Sequence, residues 1–259
     1  MYKRAIKFAL RKVGFDLVRI TGVGGYYPPD FEDLHKEIIE RVKPYTITSN
    51  ERIYALIEAV RYILANDIPG DFVECGVYKG GSMMTIALTL LSEQVSEREL
   101  YLFDTFEGMP KPDERDVDFK GVPSIDRFNK LRLTDDSSTW VNAPQEAVRQ
   151  AMSLTQYPDE RVHYVKGLVE DTIPTQAPQS IALLRLDTDW YRSTKHEMDH
   201  LYQRVSPNGV VIVDDYGHHK GSQQAVDEYF RNSNNSPFLH RIDYSGRLIL
   251  AYPLYAHTH

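Results

Sequence analysis

Two pairs of aspartates carry the strongest chemical signal in this 259-residue chain. Asp187 and Asp189 lie two residues apart at the end of an apolar run, so an extended backbone turns both to one face. Asp214 and Asp215 stand at the end of the next such run, Val210-Val211-Ile212-Val213. Four carboxylates converging from neighbouring strand ends repel one another in a partly desolvated cleft, so something positive must hold them. A hard divalent cation with oxygen ligands meets that need. Mg²⁺ is the default, because it takes a few carboxylates and keeps positions for water or substrate. Capping of the helices that start near Ser193 and Gly221 is the other use open to these side chains.

A second signal is Glu74-Cys75-Gly76-Val77-Tyr78-Lys79-Gly80-Gly81-Ser82, a glycine-bearing turn between a strand and a helix. Such a turn lets a ligand approach the backbone and the helix N-terminus. Asp104 ends the following strand, where an acidic residue can accept hydrogen bonds from both ribose hydroxyls of a nucleoside cofactor. Helix capping and turn formation are the plainer roles for each feature alone; together they favour a nucleoside-bearing cofactor.

Histidines give less. His196-Glu197-Met198-Asp199-His200 matches H-E-x-x-H as a string, but Met198, Leu201, Tyr202 and Val205 must supply that helix's buried face, and no third ligand follows. His218-His219 with one distant cysteine, Cys75, has no zinc-ligand spacing, and the thiol reads as a small buried side chain. Thr21-Gly22-Val23-Gly24-Gly25 follows no strand and precedes no helix, so it reads as a loop.

The elements that must position these residues follow from periodicity. Thr48 with Glu51 forms a capping box for a helix whose stripe is Ile53, Leu56, Ile57, Val60, Ile63 and Leu64. From there the pattern alternates: strand 71–77, helix 82–94, strand 100–105, helix 145–157, strand 161–166, strand 181–187, helix 194–205, strand 210–214 and helix 222–231. A last pair of strands turns at Ser245-Gly246. Nearly all-apolar strands alternating with helices imply an α/β, doubly wound, mostly parallel sheet covered on both faces, with an antiparallel hairpin at its edge. The polar stretch 106–143 has no strong period, and a loop of that length inside a compact domain reads as a lid.

Composition bounds the partners. With 30 Lys and Arg against 37 Asp and Glu the net charge is −7, which argues against a broad nucleic-acid face. No run approaches the roughly 18 apolar residues of a membrane span, and no cleavable leader is visible, so a soluble, cytoplasmic protein with a small-molecule partner is expected. Residues 1–20 oppose the acidic balance: Lys3, Arg4, Lys7, Arg11, Lys12 and Arg19 accompany Ile6, Ala9, Leu10, Val13 and Leu17 at helical spacing. This basic amphipathic helix is expected to pack on its own domain or on a partner subunit rather than on a membrane.

Four motifs in order, Glu74 to Gly81, Leu102 to Gly108, Leu186 to Thr194 and Val213 to Gly217, resemble the macrocin O-methyltransferase family across about residues 48–254. The resemblance implies a Rossmann-like, seven-stranded class I methyltransferase domain over 48–259, with 1–47 as an N-terminal helical extension. It implies S-adenosylmethionine as cosubstrate, Mg²⁺ as cofactor, and methylation of a sugar hydroxyl on a natural product. Asp187, Asp214 and Asp215 would be the metal ligands and Asp189 the general base. Glu74, Gly76, Val77, Tyr78, Ser82, Asp104, Thr105, Phe106 and Gly167 would line the cofactor site. Thr188 stands where some members carry glycine. A homodimer or higher homo-oligomer is expected, and a catechol-type diol is a further acceptor class. Two rival readings stand beside this one. Asp187-Thr188-Asp189 could be the D-x-D of a metal-dependent glycosyltransferase, which leaves Asp214, Asp215 and the glycine turn unexplained. The chain could also be a non-catalytic, cofactor-binding partner subunit.

Overall fold

The computed structural model describes residues 27–233 and 236–251, together with Ile6 and Lys12. The basic amphipathic helix expected over 1–20 and the glycine loop at 21–25 therefore lie outside the described residues, those two positions aside. Among the described residues, the first elements from position 27 onward are α1 (Asp33–Val42) and α2 (Asn50–Ala65). It continues through β1 (Asp71–Cys75), α3 (Gly81–Ser92), β2 (Leu100–Asp104), α4 (Ser124–Leu131), α5 (Gln145–Ser153), β3 (Val162–Lys166) and α6 (Val169–Thr172). Then come β4 (Ile181–Leu186), α7 (Tyr191–Leu201), β5 (Val205–Val213), α8 (Lys220–Asn232), β6 (His240–Arg241) and β7 (Arg247–Leu250).

The strands form one seven-stranded sheet in the order β3-β2-β1-β4-β5-β7-β6. The first five are parallel, and β7 runs antiparallel to both β5 and β6. This is the Rossmann-like architecture expected from the alternating pattern. Side chains of β5 show why both faces are covered: Val210 and Ile212 enter one buried cluster with α2 and α3, whereas Val211 and Val213 enter the other with α7 and α8. The stretch 33–47 belongs to the first cluster, where Phe31, Ile38, Ile39 and Val42 are buried.

Strand order reverses between β1 and β4, which is where open α/β sheets bind ligands. Backbone hydrogen bonds tie the strand ends side by side: Gly76 N–H donates to Phe103 O (2.8 Å), Asp187 N–H to Cys75 O (2.8 Å) and Asp214 N–H to Leu186 O (2.9 Å). The cleft floor is thus an extension of the sheet.

Two local readings differ from the structure. The N-cap of α2 is Ser49, one residue after the expected Thr48; its Oγ accepts from Arg52 N–H (3.2 Å) and donates to Asp243 (2.7 Å). The tie to the β6–β7 turn selects Ser49, and Thr48 Oγ1 is left buried without a partner. The stretch 106–143 is not featureless either. It contains α4, whose Ile125, Phe128 and Leu131 recur every third residue, and Phe128 is fully buried. Asp116 anchors it, accepting from the backbone N–H groups of Tyr191 (2.8 Å) and Asp113 (2.8 Å), while Trp190 Nε1 donates to Pro110 O (3.0 Å).

Gly76 shows how little room the switch point leaves. Its φ is +83°, and a Cβ there would lie 2.1 Å from the Asp187 carbonyl oxygen. Gly76→Ala is expected to destabilise the fold by about 2 kcal/mol or more, read as a lower urea midpoint at unchanged slope.

Candidate active site

The strand ends open onto a cavity of about 400 Å³. Of the residues expected at a cofactor and metal site, Gly76, Val77, Tyr78, Ser82, Asp104, Thr105, Gly167, Asp187, Asp189, Asp214 and Asp215 all line it. Glu74 and Phe106 do not. Glu74 lies beneath the floor, fully buried, and Phe106 packs into the core behind the turn.

The glycine turn is held from across the sheet. Asp104 Oδ2 accepts from Val77 N–H (2.7 Å) and Tyr78 N–H (3.0 Å), and Oδ1 accepts from Phe106 N–H (2.7 Å). Tyr78 and Phe106 both sit at φ +52°, a conformation side-chain-bearing residues rarely adopt without such support. Asp104 therefore shapes the turn while lining the cavity. Burial raises its carboxyl, although these three donors pull the other way.

The acidic floor contains two cations that the motif reading missed. Arg185 is buried in β4, and its Nη1 donates to Glu74 (2.6 Å) and Asp187 (2.7 Å) while Nη2 donates to Asp214 (2.5 Å). Arg52, from α2, pairs with the other oxygen of Asp214 and with Asp243 (3.0 Å). An arginine within the apolar run Ile181 to Leu186 was a legible signal, since a buried guanidinium must have partners. Arg52 carried none.

Two guanidiniums do not balance Glu74, Asp187, Asp189, Asp214 and Asp215. Single oxygens of Asp187, Asp214 and Asp215 lie within 4.8 Å of one another, and Asp215 Oδ2 is buried with no hydrogen-bond partner. Burial, and then the neighbouring carboxylates, push Asp215 well above the carboxylate range; Asp187 is driven up by its burial despite Arg185. An oxygen-only donor set with an orphaned acceptor and surplus negative charge fits a hard divalent cation.

Asp189 differs from its neighbours. Its backbone is left-handed at φ +65°, and its carboxylate faces His219 Nε2 (3.4 Å). Burial would raise this carboxyl, but the imidazole outweighs it and holds the group below its ordinary value. His219 is raised in turn: Asp189 overcomes a burial that would lower it. Beneath the loop, Thr188 Oγ1 donates to Glu197 (2.9 Å). The central acid of the H-E-x-x-H string thus serves the aspartate loop, while His196 Nε2 lies against Ile173 O (3.0 Å).

Removing Arg185 should leave Glu74 and Asp187 without a counter-charge and Asp214 with Arg52 alone, so Arg185→Met is expected to destabilise the fold by about 3–5 kcal/mol in urea titrations. Glu197 gives a test with a sign. Burial lifts its carboxyl from 4.5 to about 8, so the native chain binds this proton more tightly than the unfolded one. Its contribution is full at low pH and falls as pH climbs from about 4.5 to about 8. Glu197→Gln cannot ionise, and its stability curve should be flatter across that window, crossing above the parent at the alkaline end.

Comparison with known proteins fits this geometry. Residues 40–249 match the family model described as macrocin-O-methyltransferase (TylF). The chain is 33% identical over 202 residues to demethyldecarbamoylnovobiocin O-methyltransferase of Streptomyces niveus, covering 78% of this chain and 74% of that protein. It is 31% identical over 202 residues to an 8-demethyl-8-(2,3-dimethoxy-alpha-L-rhamnosyl)-tetracenomycin-C 4'-O-methyltransferase of Streptomyces olivaceus, with the same coverage. The solved structure of the O-methyltransferase NovP superposes with a TM-score of 0.71 at 30% identity, over 80% of this chain and 82% of that one. The alternating sheet, the glycine turn and the aspartate-tipped strands are thus those of the macrocin O-methyltransferase family of S-adenosylmethionine-dependent O-methyltransferases, to which this chain belongs.

Proposed function

We propose that this chain methylates a sugar hydroxyl on a glycosylated small molecule, with S-adenosylmethionine as donor and Mg²⁺ held by Asp187, Asp214 and Asp215. The observation that carries this reading is the cavity itself, which joins the glycine turn to an oxygen-only acidic floor. One relative's name places its methylated position on a rhamnosyl group. The glycosyltransferase and non-catalytic readings give way, because a D-x-D site leaves the glycine turn and the Asp214-Asp215 pair without a use.

The transfer is an in-line displacement: the acceptor oxygen bonds to the methyl carbon, the carbon–sulfur bond breaks, and S-adenosylhomocysteine leaves. The turn from Gly76 to Ser82, braced by Asp104, would hold the donor. Asp189 takes the acceptor's proton, and His219 keeps that carboxylate ionised and oriented. When bound, the divalent cation supplies Lewis acidity that makes an alcohol a better nucleophile. The segment 106–143, held through Asp116 and by Trp190, lines the cavity with Met109, Pro110, Val122 and Trp140, apolar groups that limit the access of water.

Calorimetry with S-adenosylhomocysteine should give a saturable isotherm; no heat at high micromolar concentration would sink the reading. Mn²⁺ is a spin-active stand-in for Mg²⁺, and its paramagnetic resonance signal should report binding that Asp215→Asn weakens at least about tenfold. Asp189→Asn should keep cofactor binding and lose roughly a hundredfold or more in turnover. Retained turnover would exclude Asp189 as the base.

A further inference from the structure

Around the mouth of the cavity, segments distant in sequence each turn a large apolar side chain outward. Ile47 precedes α2, Val122 precedes α4, and Tyr244 sits in the turn between β6 and β7; all three line the opening, and they are 76%, 53% and 56% exposed. Phe119, 49% exposed, lies behind them with its ring 5.4 Å from that of His218. The His218 ring in turn stands edge-on to Tyr244 at 5.8 Å, so Phe119, His218 and Tyr244 form a continuous aromatic ridge along one side of the mouth.

Single exposed apolar residues are ordinary, but several gathered on one opening mark a binding surface. Among the described residues, Ile6, Leu133, Leu154 and Phe238 are comparably exposed and do not line the cavity; Phe119 does not line it either but joins the mouth through its contact with His218, which does. The cavity is therefore divided: carboxylates at the floor, apolar and aromatic groups at the rim. A ligand complementary to both has a hydroxyl-rich end and an apolar body.

We propose that Ile47, Phe119, Val122 and Tyr244 form a subsite for the apolar aglycone of the acceptor, and that this collar selects among glycosides carrying the same sugar. The proposal rests on the reading of the chain as a glycoside O-methyltransferase. The floor can hold the sugar but has nothing with which to tell one aglycone from another. The collar supplies flat aromatic faces and aliphatic contact where the sugar's substituent leaves the cavity. Its four side chains come from three separate connections, so an aglycone seated there touches the segment before α2, the segment 106–143 and the sheet-edge turn together.

The test uses the full chain saturated with S-adenosylhomocysteine and two probes with one sugar, methyl α-L-rhamnopyranoside and 4-methylumbelliferyl α-L-rhamnopyranoside, titrated calorimetrically. The aryl glycoside should bind at least about tenfold more tightly than the methyl glycoside. Phe119→Ser and Ile47→Ser, both at exposed positions, should each reduce that ratio severalfold while leaving S-adenosylhomocysteine affinity unchanged. Equal affinity for the two probes, no detectable binding of the aryl glycoside, or a ratio unmoved in both variants would overturn the collar. So would a change of sedimentation coefficient in the variants, which would make the rim a contact between copies of the chain. Failure of the parent chain to bind S-adenosylhomocysteine would instead remove the methyltransferase reading beneath it.

Discussion

Arg185 cannot sit inside a parallel sheet without partners, because a guanidinium taken out of water must find charge and hydrogen-bond acceptors nearby. It finds them at the ends of three strands: Glu74 on β1, Asp187 beyond β4 and Asp214 beyond β5. One side chain thereby fastens the carboxyl edge of the sheet where the strand order reverses. Backbone bonds from Asp187 to Cys75 and from Asp214 to Leu186 run parallel to these ion pairs. Because the same three strand ends carry the acidic floor, the bond that stabilises the fold also sets the spacing of its chemistry.

That arrangement leaves charge over. Arg185 and Arg52 engage one side of the aspartate cluster, and Asp215 remains with a buried oxygen that nothing donates to. Asp189 shares this repulsion, since it lies with Asp215 and His219 in a group whose ligand atoms are within 4.8 Å of one another, but it also faces an imidazole. Its left-handed backbone turns the carboxylate toward His219, which holds it ionised while its neighbours are driven toward protonation. Two carboxylates on one short loop are thus shifted in opposite directions, Asp187 upward by its burial and Asp189 downward by the His219 imidazole. The loop that bears Asp189 is tied from below by the hydrogen bond from Thr188 to Glu197.

Much of this was legible before any coordinates. Strand–helix alternation specified the mostly parallel sheet and its antiparallel edge, Asp187 and Asp189 were found from period two, and Asp214-Asp215 from their place at the end of an apolar run. What escaped had a common cause. Arg52, Ser49 and Asp243 meet through contacts between α2 and the β6–β7 turn, which lie far apart along the chain and carry no local pattern. Arg185 did carry one, since a lone cation in an all-apolar strand demands partners. Reading the aspartates as a metal cluster hid it, because a cation had already been assigned to balance them. Asp104 lines the cavity where the spacing put it, but its hydrogen bonds to the turn are contacts that spacing cannot reveal. The segment 106–143 gave up its helix least readily because only Ile125, Phe128 and Leu131 mark it.

Floor and rim differ in what the fold demands of them. At the floor, Gly76 has no room for a methyl group and Asp187, Asp214 and Glu74 are locked to Arg185, so a substitution there disturbs packing and charge together. At the rim, Ile47, Phe119, Val122 and Tyr244 lie on connecting segments and are each about half exposed or more, where substitution leaves the core untouched. Methyl transfer demands the first kind of residue, since sulfur, methyl carbon and acceptor oxygen must align. Acceptor choice suits the second, since aglycones of different shape can be met by altering side chains that bear no fold stability. A scaffold divided in this way can hold one reaction constant while its substrate changes, because the residues that align the reacting atoms and those that meet the rest of the acceptor sit on different parts of the chain.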